Sequence, residues 1–422
     1  MTSDSGSLQT HRVAVIGAGI VGVVSALHLV REGHQVTLID RDDPGEGCSF
    51  GNAGLLARSS FVPMANASTF LSVPKWLLDP GGPLSIRWSY LPKLLPWLLK
   101  YIRSGLFDDL DTSARALHVL TDPCVDLYRK LADEAGCGDL VRESDYLQVY
   151  RTESAFHKAT GDMNIRRKLG MRIDDIDAAT IHKLEPALSA DYQYGYLIHD
   201  HAFVTDPSAL VKRLADLFCR EGGAIKMATV EDIKGGGTDD CRVVTSDGDL
   251  ECDKVVLAAG AFSARLTAKT GVKLPMDTER GYHITCPNPG PTLSRPVMEG
   301  DRKYLTTPMS MGLRFAGTVE LGGLDADPNP RRIDALTHHA KRMIDGLDTS
   351  DATTWMGFRP TLPDSLPIIG PSPDHPNIIY AFGHQHLGLT CAPKTAQLVT
   401  DLIVGRAPNV DIRPYSAMRF RR

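Results

Sequence analysis

The segment RVAVIGAGIVGVVSALHLVREGHQVTLID constrains the fold more than any other stretch of the chain. Val13 to Ile16 is a continuous apolar run, as a strand buried on both faces requires. Gly17, Gly19 and Gly22 follow, then helix-forming residues from Val21 to Glu32, a stop at Gly33 and a second strand ending at Asp40. Gly17 permits the turn, Gly19 lets the backbone approach a pyrophosphate, and Gly22 lets helix and strand pack closely. The helix start, with Ala18, Ile20 and Val21, then turns N–H groups and a positive dipole end toward the phosphates. Asp40, 23 positions after Gly17, is placed to accept both hydroxyls of an adenosine ribose. The pattern predicts a dinucleotide site. An acid at this position favours FAD or NAD over NADP, Arg41 directly after it weakens that exclusion slightly, and the fingerprint does not separate FAD from NAD.

The 422 residues suffice for two domains with sizeable cores. A formal net charge of -5 argues against general nucleic-acid binding, and the basic end with Arg419, Arg421 and Arg422 reads as a solvated tail. The eight cysteines form no C-x-x-C pair and no zinc spacing, which points to reduced thiols in a cytoplasm. Residues 1–10 lack the apolar stretch of a secretory signal, and no apolar run of about 18 residues spans a bilayer. The expectation is a cytoplasmic protein, soluble or peripheral.

Three of the four tryptophans, Trp76, Trp88 and Trp97, fall between residues 70 and 107, with Lys93, Lys100 and Arg103 among them. Such a segment suits the inner face of the cell membrane, rings at the headgroup level and cations toward lipid phosphate. Pro92 and Pro96 interrupt a continuous amphipathic face, however. The favoured expectation is therefore a helix from Trp97 to Leu106 packed on the core or over the active site.

Helical spacing runs from Asp111 to Ala135 and through much of Glu153 to Leu169; strand-like runs occupy Tyr194–Ile198, Val243–Thr245 and Lys254–Leu257. Two later segments repeat the opening logic. In DKVVLAAGAFSARL a strand runs into Ala258, Ala259 and Gly260 and then a helix starting near Ser263; in NIIYAFGHQHLGLTCAPKTAQLVTDLIVG the strand Ile378–Phe382 meets Gly383, and a helix follows from about Pro393 to Ile403. This predicts an α/β nucleotide-binding layer interrupted by insertions that build a second domain.

At these residues the chain resembles the D-amino-acid oxidase family of FAD-dependent amine dehydrogenases and oxidases, most closely its bacterial D-amino-acid dehydrogenase branch. The matching pieces are GAGIVGVVSALHL with Asp40, CSFGNAG at Cys48–Gly54, VTDPSALV at Val204–Val211, ATVEDI at Ala228–Ile233, VVLAAGAFS, GFRPTLPDSLPIIG at Gly357–Gly370 and GHQHLGLT at Gly383–Thr390. The resemblance implies a Rossmann-like, glutathione-reductase-type FAD domain assembled from residues 1–70, 200–278 and 355–422. Residues 71–199 and 279–354 then form an α+β substrate domain with a mixed, largely antiparallel sheet. Ser49, Asn52, Ala53 and Gly54 are implied to line the flavin and pyrophosphate, Val230 to contact adenine, and Ala259 and Gly260 to face the dinucleotide. Gly383, Leu387, Gly388, Leu389 and Thr390 are implied to set N–H groups and a helix N-terminus against the N1/O2 edge of the isoalloxazine ring, where negative charge collects on reduction.

The implied chemistry is oxidation of a D-amino or cyclic imino acid, D-proline or D-hydroxyproline among the candidates, by hydride transfer from Cα to flavin N5. Electrons then pass to a quinone or another carrier. The alternative is a glycine- or sarcosine-type oxidase that returns them to oxygen and releases peroxide. The protein's task is to point Cα–H at the cofactor and anchor the carboxylate, so an arginine matters more than an acid/base pair. Arg359 matches that arginine, Tyr282 is placed near the carboxylate with Arg280 as competitor, and Tyr304 is expected on the same sheet. His384 suits a flavin or substrate contact, with His386 turned into the protein; a third ligand for a metal is missing. Asp364 is expected to organise its turn. The residues before Gly357, DATTWM, hold no cysteine for a flavin tether, so noncovalent FAD is expected.

Overall fold

The computed structural model describes residues 9–235 and 241–421. One layer is a six-stranded sheet in the order Ile368–Pro371, Ile378–Phe382, Lys254–Leu257, β1 (Arg12–Ile16), β2 (Gln35–Asp40) and Ala224–Met227. Neighbours run parallel except Ile368–Pro371, which is antiparallel to Ile378–Phe382. The continuous apolar run of β1 follows from its position. Val13 and Val15 join one core with α1 (Ile20–Arg31) and the helices Pro207–Arg220 and Gly388–Ile403. Ala14 and Ile16 join a second core, against a three-stranded antiparallel sheet from Val230 to Cys252.

The other layer is a ten-stranded mixed sheet. Its path is Thr353–Thr361, Asp277–Cys286, Gly312–Leu321, Tyr304–Met309, Val297–Glu299, Val141–Tyr150, Tyr194–Val204 and Leu55–Leu56. Most neighbours are antiparallel; Val297–Glu299 beside Val141–Tyr150 and Leu84–Ile86 beside Gly312–Leu321 are parallel. Segments 1–70, 200–278 and 355–422 supply all six strands of the parallel layer. The large sheet also draws on Leu55–Leu56 and on the strand Thr353–Thr361.

Several local expectations need correction. The helix read from Asp111 to Ala135 is two helices, Leu110–Thr121 and Cys124–Glu134, because Pro123 has no N–H to continue the ladder. The last helix begins at Gly388, five residues before the expected Pro393. Proline is tolerated there because the carbonyl it leaves without a backbone donor, that of Leu389, accepts the Tyr128 hydroxyl at 2.7 Å. Likewise Leu91–Phe107 forms one helix despite Pro92 in its first turn and Pro96 inside it. It packs on the protein as expected: Leu94 and Trp97 are buried, and Trp97 Nε1 donates to the Thr361 carbonyl at 3.2 Å. The carboxyl end is docked rather than solvated. Arg419 pairs with Asp364, Arg421 pairs with Asp374, and the Tyr415 hydroxyl donates to the Ala116 carbonyl at 2.6 Å. Residues 1–8 and Arg422 lie outside the described residues.

Burial holds three histidines neutral: His28 and His201 are lowered from 6.5 to about 4, and His283 to about 3. The unfolded chain binds these protons near 6.5, so their stabilisation is complete above that pH and is lost as pH falls toward 4. The urea midpoint of unfolding is expected to drop steadily as pH is lowered through this window, before most carboxylates titrate; a flat midpoint between 6.5 and 5 contradicts it.

Candidate functional site

Between the two layers lies a cavity of about 1240 Å³. That exceeds the roughly 300–1000 Å³ typical of a single small-ligand pocket, so it has room for an extended dinucleotide and a second molecule. Nearly all of the residues expected at a site border it, although they come from segments more than 350 positions apart.

At one end the glycine turn forms the floor. Gly17 has φ +106°, and a Cβ there would stand 2.5 Å from the Ala258 carbonyl oxygen; a Cβ on Gly22 would stand 1.8 Å from that of Gly17. Gly22 is thus a packing residue that does not itself border the cavity. Gly19 differs: the nearest atom to its Cβ position is Ser49 Oγ at 3.6 Å, and the position borders open cavity. Ser49 Oγ accepts from the first helical N–H, that of Ile20, at 3.0 Å. Asp40 Oδ2 accepts from Ala18 N at 2.6 Å, and the Arg41 guanidinium lies 4.4 Å over the Phe262 ring. Val21, Val230, Ala259 and Gly260 complete this end.

The Cys48–Gly54 loop forms the middle, with Ser49, Asn52 and Ala53 on the cavity. Gly54 sits behind them at φ +78°, where a Cβ would stand 2.5 Å from the Val204 carbonyl oxygen. Asn52 Oδ1 accepts from Gly54 N at 2.8 Å. Sequence reasoning missed what fastens this loop. Buried Arg314 reaches from the large sheet and donates from Nη1 to the carbonyls of Phe50 at 3.0 Å and Asn52 at 2.8 Å. Burial lowers its guanidinium to about 10. The Trp355 ring fills the space that side chains on Gly51 and Gly357 would take, and stacks on His283 at 5.2 Å.

A second helix start faces the same space. Gly383 turns the chain at φ +87°, and Leu387, Gly388, Leu389 and Thr390 border the cavity. No side chain caps the helix Gly388–Ile403, so its free N–H groups and dipole are available to a ligand with negative charge. Thr390 Oγ1 instead holds the opposite wall, accepting from Ala57 N at 3.1 Å.

Arg359 stands at the far end. The protein encloses it, yet its guanidinium borders the cavity, and burial lowers its pKa. Among the described residues its one side-chain bond runs from Nη1 to the Thr318 carbonyl at 3.1 Å. Glu279, its register partner on the next strand, is buried and raised by that burial, with the Arg359 charge opposing the shift. No described carboxylate lies within 4.0 Å of the guanidinium. Gly281 makes room for it, since a Cβ there would stand 2.4 Å from Arg359 Cζ. The register between Asp277–Cys286 and Gly312–Leu321 shifts here: Arg280 opposes Glu320 and Tyr282 opposes Gly317. The resulting bulge places Thr318 at φ +56°, a rare backbone for a β-branched residue, and aims its carbonyl at Arg359. Lys303 and Gln385, at φ +58° and +52°, border the same cavity. Left-handed backbone in non-glycine residues thus concentrates at the cavity.

The remaining candidates divide. Arg280 is fully buried and pairs with Glu320 at 3.2 Å, so it does not compete with Arg359. Tyr282 borders the cavity, but its hydroxyl donates to Glu320 and accepts from Asn329 N at 3.0 Å. Burial opposes ionisation of Glu320, but bonds from Tyr282, Arg87 and Asn329 and the Arg280 charge hold it below the usual range. Tyr304 belongs to the core, not the site: its hydroxyl donates to the His339 carbonyl at 3.1 Å and its ring stacks on His339. Both histidines border the cavity, so only His386, expected to turn into the protein, needs correction. His384 Nε2 meets Thr395 Oγ1 at 3.0 Å inside the protein, while His386 is exposed to the cavity and feels the Arg359 charge. Burial lowers both to about 4. Asp364 does organise its turn, accepting from Leu366 N at 3.2 Å.

Comparison with known proteins agrees with this geometry. The DAO family model, described as FAD dependent oxidoreductase, matches residues 12–402. A D-amino-acid oxidase of Bradyrhizobium diazoefficiens is 41% identical over 97% of this chain and 98% of its own length. A D-amino acid dehydrogenase of Xanthobacter autotrophicus is 30% identical over 97% and 99%. Among solved structures, glycine oxidase from Geobacillus kaustophilus superimposes with a TM-score of 0.75 at 23% identity, covering 97% of this chain and 99% of that one.

The cradle fits FAD: two helix starts face one space, neither capped by its own N-cap residue although Ser49 takes the Ile20 N–H, and glycine stands where a Cβ would block the turn. Gly19→Val tests the fit, because a Cβ there meets no protein atom closer than Ser49 Oγ at 3.6 Å. The variant is expected to fold with near-native stability yet purify with less than about a tenth of the native yellow absorbance per chain, since the side chain fills the phosphate cradle. Full flavin content contradicts the assignment.

Proposed function

The chain belongs to the DAO family of FAD-dependent oxidoreductases, and we propose that it oxidises a D-amino or cyclic imino acid at the α-carbon, with Arg359 holding the substrate carboxylate. The observation that carries this reading is a guanidinium enclosed in the protein, bordering the cavity, with a single backbone partner and no ion pair among the described residues. A planar fork with donors to spare binds a carboxylate in two places and fixes distance and angle together. FAD supplies the two-electron acceptor for the substrate Cα–H. His386 stays neutral beside Arg359, so it adds no competing charge and leaves the carboxylate to the guanidinium. The N–H groups at Gly388–Thr390 stabilise negative charge on the far side of the site. Trp97, Tyr101 and Trp355 line apolar walls that limit water at the reacting carbon. Segments 1–70, 200–278 and 355–422 form the cofactor part in this reading, and 71–199 with 279–354 the substrate part.

A quinone or carrier protein is the proposed electron acceptor. Oxygen is the second reading, favoured by the name of the 41% identical relative. Stoichiometric peroxide during turnover supports oxygen; faster reduction of an acceptor dye than of oxygen supports the carrier.

The helix Leu91–Phe107 exposes Leu95, Leu99, Ile102 and Leu106, the last two also at the cavity edge, near exposed Trp88 and with Lys93, Lys100 and Arg103 among them. We propose that this face rests on an anionic membrane surface. No described helix is long and apolar enough to cross a membrane.

Two outcomes are expected. Arg359→Leu retains FAD but raises the substrate concentration needed for anaerobic flavin bleaching at least ~100-fold, since a buried charge partner is worth roughly 3–5 kcal/mol; unchanged kinetics mean that another cation holds the carboxylate. The native protein sediments with vesicles rich in anionic lipid and much less with neutral ones, and Leu95→Glu/Leu99→Glu removes the difference; equal recovery with both vesicles contradicts the membrane contact.

A further inference from the structure

The cavity carries a second basic wall that holding an α-carboxylate does not use. Lys303 heads the strand Tyr304–Met309, is exposed, and borders the cavity. Arg166 borders the same region from the helix Thr160–Lys168, together with Tyr146 and Gln148. Neither cation has an ion-pair partner among the described residues within 4.0 Å. Arg166 Nη1 meets only the Met163 sulfur at 3.5 Å, and its Nε is buried without a partner. Asp162 borders the cavity one helical turn before Arg166, while Asp301 and Glu299 lie behind Lys303. Burial disfavours the charge on Lys303, and the Asp162 carboxylate partly restores it. On the cavity wall itself two cations face one anion. Such a balance is matched by one more negative group.

Placement relates this wall to Arg359. The Arg359 guanidinium lies over Gly281 and bonds the Thr318 carbonyl, whereas the Lys303 carbonyl is 3.3 Å from the Cβ position of the adjacent Gly317. The strand of Arg359 and the strand headed by Lys303 are separated by Asp277–Cys286 and Gly312–Leu321, about three strand spacings or ~14 Å at the backbone, and both residues border one cavity. Lys303 also keeps a left-handed backbone at φ +58°, a conformation that side chains rarely adopt.

We propose that Lys303 and Arg166 bind a second carboxylate, so that the amino acid oxidised has an acidic side chain. This rests on the reading of Arg359 as the holder of the α-carboxylate. A cyclic imino acid offers this wall no charge, and a basic side chain meets two like charges against one opposite.

The test compares isosteric pairs on the FAD-loaded enzyme: D-glutamate with D-glutamine, and D-aspartate with D-asparagine. For at least one pair, kcat/KM is expected to favour the acid by ~10-fold or more, mainly through KM, as sites with dedicated polar partners discriminate. Lys303→Asn, a residue type that tolerates left-handed backbone, and Arg166→Met are each expected to lower that ratio about tenfold. Binding without turnover gives a second readout: glutarate should perturb the flavin absorbance at lower concentration than butyrate, and both variants should narrow the gap. Ratios at or below one in the native enzyme, or ratios that neither variant changes, overturn the proposal. Bleaching by D-alanine or D-proline but not by the acids overturns this inference alone. Absence of bleaching with every amino acid overturns the proposed function and this inference with it.

Discussion

Everything in the molecule is arranged around a close approach that side chains would forbid. The Gly22 Cβ position lies 1.8 Å from the Gly17 carbonyl oxygen, and that of Gly17 lies 2.5 Å from the Ala258 carbonyl oxygen. Three backbone segments, β1, α1 and the end of Lys254–Leu257, meet there because two residues contribute no bulk. That contact sets how α1 leaves the parallel sheet and where its free N–H groups point. Methyl groups at these positions would force the helix away from the strand and close the space it now borders.

The opposite wall solves a different problem. Arg359 holds a charge inside the protein, and burial works against that charge. The structure keeps it with one backbone carbonyl and a buried carboxyl, Glu279, at a distance. The adjacent network shows the contrast: Glu320 gathers Arg87, Arg280, Tyr282 and Asn329 and satisfies itself. Two arginines near the same sheet thus have opposite availability. Arg280 is consumed by structure, and Arg359 is left for a ligand. The bulge at Thr318 makes the distinction, since it turns one carbonyl out of the sheet ladder and toward the guanidinium.

Much of this was legible in the sequence where the determinants are local. The glycine turn, the small residues Ala258–Gly260, the GFRP arginine and the turn at Gly383 are short patterns whose chemistry follows from the residues themselves. Register and rotamer decide the rest. Tyr304 and Tyr282 are both tyrosines on strands of one sheet, yet one hydroxyl meets the His339 carbonyl and the other Glu320. His384 and His386 are two residues apart and both border the cavity, yet with the left-handed Gln385 between them only the His384 ring is tied to Thr395. Arg314 and Lys303 have no motif to announce them; their roles exist only once distant strands are adjacent. The early start of the last helix was hidden by Pro393, whose effect is neutralised by Tyr128, 265 positions away.

The cavity walls come from the first fifty residues and from residues as late as Thr390. During synthesis the glycine turn at Gly17 emerges about 370 residues before the second helix start at Gly388. A ribosome-bound chain therefore carries half a cradle, with apolar surface on both sheets unmatched until the last segment arrives. A flavin held by both helix starts accordingly waits for Gly383–Thr390, and a chain that stalls before Gly383 leaves apolar surface open to aggregation rather than a smaller working enzyme.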